Sequence, residues 1–249
     1  MVTPSRNLVM TLAIAALFPW GKLRRYSESF PKGPLCTPGI IFATDSRWTQ
    51  MTPSGRTVAK YDNGMKLFPL TSHTGGIYAG DTMSAELCLG RMAHNFHTSR
   101  HPSRNIERRA QRVFRRIYSE TVPKKEQSKR PLHIIIGHLD PTIGPQLWRF
   151  ASNNDFRPVS ISQQATIRMP TAGEIFKSAV DNEVESWFAS GGHPPLRPDE
   201  AALTLVSIFY GQIVQPEIDN TVGGPIQVAV IDRNGWNSQT IAAHNGQDG

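Results

Sequence analysis

The stretch NLVMTLAIAALF, residues 7–18, decides how this chain is read, because it supports two incompatible accounts. A basic residue, Arg6, followed by an apolar run is the outline of a secretory leader, but a leader also needs a small-residue cleavage site beyond the apolar core. Here Pro19, Trp20 and Gly21 follow the run, and the small residues Ala13, Ala15 and Ala16 sit inside it. The run is therefore read as a buried β-strand that begins at a methionine–threonine pair, Met10-Thr11.

The next continuous apolar segment is GIIFAT at 39–44, so the two segments predict a hairpin with a long loop. Shorter strand signals follow in RTVAKY (56–61), MKLFPL (65–70) and GGIYAG (75–80). Two helices come next. The first runs from Asp81, a capping residue, to about Thr98, with Ala85, Leu89, Met92 and Phe96 at helical spacing. The second carries an apolar stripe of Ile106, Ala110, Val113, Phe114, Ile117 and Tyr118, opened by Ser103 and closed before Pro123. Its other face is basic, with Arg104, Arg108, Arg109, Arg112, Arg115 and Arg116.

Strand signals resume in LHIIIGHL (132–139), QLWRF (146–150) and PVSISQ (158–163), separated by the turns DPTIGP and SNND, which predicts a β-meander. Residues 174–189 return to helical spacing and stop at Gly191-Gly192. A further helix opens at Pro198, Asp199 and Glu200, where a first-turn proline and acids near the helix dipole are favourable, and runs to Val214. PIQVAVI (225–231), an Asn234-Gly235 hairpin turn and a strand from Trp236 close the chain. Helices arrive in pairs between blocks of strands, which argues against a doubly wound parallel sheet. The prediction is an α+β fold: two mainly antiparallel sheets packed face to face, with a helix pair on each outer side.

The totals agree. A chain of 249 residues with 39% hydrophobic content fills a sizeable core. A net charge of +7 raises nucleic acid or an acidic partner as a possibility without deciding for either. Two cysteines, Cys36 and Cys88, make neither a disulfide framework nor a zinc cluster, so a reducing compartment, the cytoplasm, is expected. No apolar run reaches the roughly 18 residues that suggest a membrane span.

The chemistry begins at Thr11. A threonine at a chain's own N-terminus supplies both a hydroxyl nucleophile and, in its free α-amine, a base. Translation from Met10 followed by methionine removal, or excision of residues 1–10, would expose it. Such an amine works as a base when a nearby cation lowers its pKa, and Lys66, read as a strand residue with apolar flanks, is suited to do so. A buried lysine needs an anion, and Asp45 could supply it from an adjacent strand. Gly80, where a strand meets a helix start, is suited to offer a backbone N–H to an oxyanion. Each has a plainer reading: a β-branched strand residue, a structural ion pair, a turn glycine.

The segments TLAIAA, IIFATDSR, MKLFPL, GGIYAGDTMSAE and IDNTVGGPIQVAVIDRNGW, in that order, resemble the proteasome β-subunit pattern within the N-terminal nucleophile (Ntn) hydrolases, from Thr11 to about Trp236. The resemblance implies a four-layer αββα sandwich with residues 1–10 as an extension or propeptide and 11–249 as one domain. By it, Thr11 is nucleophile and base, Lys66 tunes its amine, Asp45 orients Lys66, and Gly80 lines the oxyanion hole. Asp219 would hold the threonine's proton network, and Arg47 would be a supporting ion-pair residue. The implied activity is threonine-type hydrolysis of peptide bonds in peptide or protein substrates, without metal or other cofactor. Homo-oligomeric rings and an unfoldase partner are the implied partners.

The sequence departs from that pattern in two ways. Residues 18–38 form a long basic loop where the family has a tight turn, and Thr171 in PTAG (170–173), like Val222, replaces a family serine. An inactive ring subunit and an Ntn amidohydrolase acting on a small amide are the alternatives. His94, His97 and His101 are spaced for one helical face, but Pro102 disfavours helix at His101, so a surface cluster is expected instead of a metal site. The arginine face lacks the interleaved aromatics that stack nucleic-acid bases, and a solvated face or a subunit contact is expected there.

Overall fold

The computed structural model describes residues 8–9, 13–19, 37–51, 57–99, 105–162, 164–167, 197–209 and 223–241, with positions 178–179, 182, 186 and 211. The fold is mixed α+β with two antiparallel sheets. The five-stranded sheet contains β2 (Ala13–Phe18), β3 (Gly39–Asp45), β11 (Gln164–Ile167), β12 (Ile226–Asp232) and β13 (Gly235–Ile241), in the order β11-β2-β3-β12-β13. Every residue of β3 is buried, which explains its uninterrupted apolar run: both of its faces are covered. β2 and β3 form the expected antiparallel pair, with Ala13 opposite Thr44 and Phe18 opposite Gly39.

The six-stranded sheet holds β7 (Thr74–Asp81), β8 (Leu132–Asp140), β9 (Gly144–Ala151) and β10 (Val159–Ile161) as the expected meander. The other edge of β7 is shared end to end by two short strands. β6 (Leu67–Thr71) pairs along Thr74–Ile77, and β1 (Leu8–Val9) pairs with Gly80 and Asp81. Thus two residues of the segment expected as an N-terminal extension belong to this sheet. β4 (Trp48–Met51) and β5 (Thr57–Tyr61) form a separate two-stranded ribbon.

One apolar cluster joins the two sheets: Ala13, Ala15, Ile40, Phe42, Ala229 and Ile231 meet Leu67, Ile77, Ala79, Ile135 and Leu147. The opposite face of the six-stranded sheet is covered by α1 (Thr82–Thr98) and α2 (Ile106–Thr121), whose Leu89, Met92, Phe114 and Tyr118 pack on Ile134, Ile136 and Phe150. α3 (Pro198–Phe209) packs against β3 and β12. Gly39 allows that approach, since a Cβ there would strike the Pro198 ring and the Ile231 carbonyl.

Local chemistry accounts for the boundaries. Asp81 caps α1 as expected, its Oδ1 accepting the Ser84 N–H at 2.9 Å. α2 starts later than Ser103 suggests: Asn105, in the left-handed region at φ 51°, precedes Ile106 without a side-chain cap. The final hairpin also differs by one residue from expectation. Asp232 pairs with Gly235, so the turn is Arg233-Asn234, and Gly235, at φ +106°, starts the strand. The 174–189 segment, expected as a helix, falls almost wholly outside the described residues. Among the described residues, no helix is long and apolar enough to cross a membrane.

Candidate active site

Lys66 immediately precedes β6, and its side chain is fully buried. Two of the expectations need correction here. Lys66 is not within a strand, and Asp45 reaches it from the last position of β3, in the other sheet, not from a neighbouring strand. The contact forms because the apolar faces of the two sheets pack together at that end.

Lys66 Nζ donates to Asp45 Oδ1 at 3.1 Å and to the Arg47 carbonyl at 2.6 Å. Asp45 Oδ2 accepts the backbone N–H groups of Arg47 and Gly223, each at 3.2 Å. Burial pulls the Lys66 ammonium below its ordinary value and pushes the Asp45 carboxyl above its own, while each partner's charge opposes the other's shift. A fully buried ammonium beside a fully buried carboxylate persists only with such extra donors and acceptors.

The turn before Lys66 is stitched to the strand end that carries Asp45. The Gly64 N–H donates to the Ser46 carbonyl at 2.8 Å, and Ser46 Oγ donates to the Asp62 carbonyl at 2.9 Å. Arg47 forms a two-pronged pair with Asp62, Nε to Oδ1 at 2.7 Å and Nη2 to Oδ2 at 3.0 Å. That hydrogen bonding, with the charge of Arg47, holds the Asp62 carboxyl below the usual carboxylate range. Asp62 is the partner that Arg47 was expected to have but that sequence reasoning did not name. Gln227 was also missed: its Oε1 accepts the Lys66 N–H at 2.9 Å and its Nε2 donates to the Gly64 carbonyl at 2.6 Å. A polar residue in the otherwise apolar PIQVAVI run was the available signal.

Close approach explains the paired glycines after Val222. A Cβ at Gly223 would fall on the Arg47 guanidinium, and one at Gly224, which has φ +74°, would fall on Ser46 and Asp62. Gly80 lies near the end of β7, at the same end of the sheet as Lys66, because Leu67 pairs with Ile77 in antiparallel register. Its φ of +110° suits glycine, and a Cβ there would collide with the Pro131 carbonyl. The structure thus brings Asp45, Arg47 and Lys66 into contact and sets Gly80 at the same sheet end. Thr11, Asp219 and Thr171 lie outside the described residues.

The described flanks of Thr11 still bear on the site. Val9 is opposite Gly80, and Ala13 is opposite Thr44, the neighbour of Asp45. His94 and His97 lie on α1; among the described residues, no group of three or more His, Cys, Asp or Glu side chains is gathered to hold a metal ion. Compared with known proteins, the chain matches no protein-family model and no curated protein sequence.

Proposed function

We propose that this chain is a threonine-type peptidase of the proteasome-like Ntn class, a four-layer αββα sandwich working in the cytoplasm within a homo-oligomeric ring. One observation carries the reading. A fully buried Lys66–Asp45 pair stands beside the start of β2, where Ala13, two residues after Thr11 in the sequence, lies opposite Thr44, the neighbour of Asp45.

In this reading Thr11 Oγ attacks the scissile carbonyl carbon while its proton passes to the α-amine of the same residue. The oxyanion is held by the Gly80 N–H. Collapse of the tetrahedral adduct breaks the C–N bond, the amine returns the proton to the departing nitrogen, and water then hydrolyses the ester. The Lys66 cation disfavours a second positive charge nearby and so keeps the α-amine available as a base. Asp45 holds Lys66 in position, Arg47 braces the strand end through Asp62, and Asp219 completes the proton network. A peptide or unfolded protein is the substrate, delivered by an unfoldase, and no metal or organic cofactor takes part.

The test is the Thr11→Ala variant with a panel of fluorogenic peptides. Hydrolysis is expected to vanish while the circular dichroism spectrum and melting temperature are retained; unchanged turnover refutes the assignment. The pairing of Leu8–Val9 with Gly80 and Asp81 favours a second reading, a non-catalytic ring subunit in which residues ahead of Thr11 stay in the sheet. A small-amide amidohydrolase would instead appear in the substrate screen as turnover of simple amides without turnover of peptides.

A further inference from the structure

Away from the Lys66 site, α1 and α2 enclose a groove of about 490 Å³ on the outer surface, and four guanidinium groups line it: Arg91, Arg109, Arg112 and Arg116. Arg109 is held in place by the Asn95 carbonyl at 3.1 Å and by the Phe96 ring, 5.2 Å from its centroid. Arg116 pairs with Glu120 at 2.8 Å. Arg91 and Arg112 have no carboxylate partner among the described residues. The floor is apolar, formed by Val113 and Ile117.

The adjoining crest of α1 is unusual for a solvated helix. Met83, Leu87, Gly90 and His94 share one face at spacings of four, three and four residues. Met83 is 54% exposed and Leu87 48% exposed. Gly90 has open space where its Cβ would be, so internal packing does not require glycine there, although glycine inside a helix costs about 1 kcal/mol relative to alanine. Leu87 and Arg91 are one turn apart, so the apolar crest runs directly into the basic groove.

We propose that this surface docks an acidic amphipathic helix of a partner protein. Its apolar side chains would cover Met83 and Leu87, its backbone would approach most closely over the notch at Gly90, and its carboxylates would meet the forked donors of the four arginines. A bare polyanion would use the arginines but leave Met83 and Leu87 in water. A second copy of this face would bring like charges together.

The test is fluorescence anisotropy with a labelled helical peptide bearing leucines along one face and glutamates on its flanks. Saturable binding is expected, weakened by added salt and lowered at least about tenfold by Arg112→Glu, by Leu87→Gln and by Gly90→Leu. All three positions are exposed, and cooperative melting no lower than that of the parent confirms that each variant is folded. No binding overturns the proposal. So does equal competition by inorganic polyphosphate or polyglutamate, which marks a general anion patch, or binding unaffected by Leu87→Gln. Loss of self-association in Arg112→Glu by sedimentation also overturns it, since the face then belongs between copies of this chain.

Discussion

Lys66 Nζ lies 3.1 Å from Asp45 Oδ1, neither side chain is exposed to solvent, and Asp45 ends a strand of one sheet while Lys66 immediately precedes a strand of the other. One hydrogen-bonded charge pair therefore crosses the interface between the sheets at the end where the candidate site is built.

Removing one partner leaves the other charge uncompensated. Lys66→Met is expected to lower stability by about 3–5 kcal/mol, read as a lower urea midpoint with an unchanged slope. Combining it with Asp45→Leu should recover only part of the loss, because the Gly223 N–H then loses the carboxylate it donates to and the Arg47 N–H keeps only the Gly223 carbonyl. A single variant as stable as the parent would mean that the pair carries no structural weight.

Gln227 bridges two buried backbone groups, so Gln227→Leu orphans the Lys66 N–H and the Gly64 carbonyl. A cost of about 1–3 kcal/mol for each unsatisfied group is expected by denaturant titration. Gln227→Glu keeps the acceptor for Lys66 and should be the milder change in Lys66 N–H protection, read by amide hydrogen exchange.

Glycine at position 80 and glycine at position 90 should respond oppositely to alanine. At Gly80, the left-handed backbone costs a side chain about 1–3 kcal/mol, and the collision with the Pro131 carbonyl adds to it. Gly80→Ala should therefore melt lower and lose the proposed peptidase activity. At Gly90, inside α1 with open space around it, alanine should raise stability by roughly 0.5–1 kcal/mol. Melting curves of the two variants decide both.

His138 gives a pH dependence with a definite sign. It is buried at the end of β8, with Nδ1 2.9 Å from Thr74 Oγ1 and 3.2 Å from the His73 carbonyl, and burial holds its pKa below the ordinary 6.5. Between the folded value and 6.5 the unfolded chain binds a proton that the folded chain does not. Stability from this group is thus complete above pH 6.5 and is lost as pH falls toward the folded value. His138→Gln should flatten that part of the melting-temperature profile, and an identical slope in both proteins would show that His138 does not titrate this way.

The strands and helices were legible where one periodicity dominated. The all-buried β3, the Asp81 cap and the stripe of α2 follow from apolar spacing and capping chemistry alone. Lys66 was legible as a residue in need of an anion, because a lysine between apolar neighbours has few other resolutions. Its partner's sheet was not, since the Asp45 contact depends on how two sheets stack, which strand patterns leave open. Asp62 and Gln227 were missed for the same reason: both act on backbone or charge brought near only by the closed turn at 62–66. β1 went unseen because two residues are too few to show a period.

The proposed hydrolysis requires a free α-amine on Thr11 acting beside the Lys66–Asp45 pair. Its most direct test is the N-terminal residue of the purified, peptide-hydrolysing protein, read by sequencing and intact mass. Threonine 11 at the terminus is the predicted result, and a chain that still carries Leu8 and Val9 ahead of it would contradict the account.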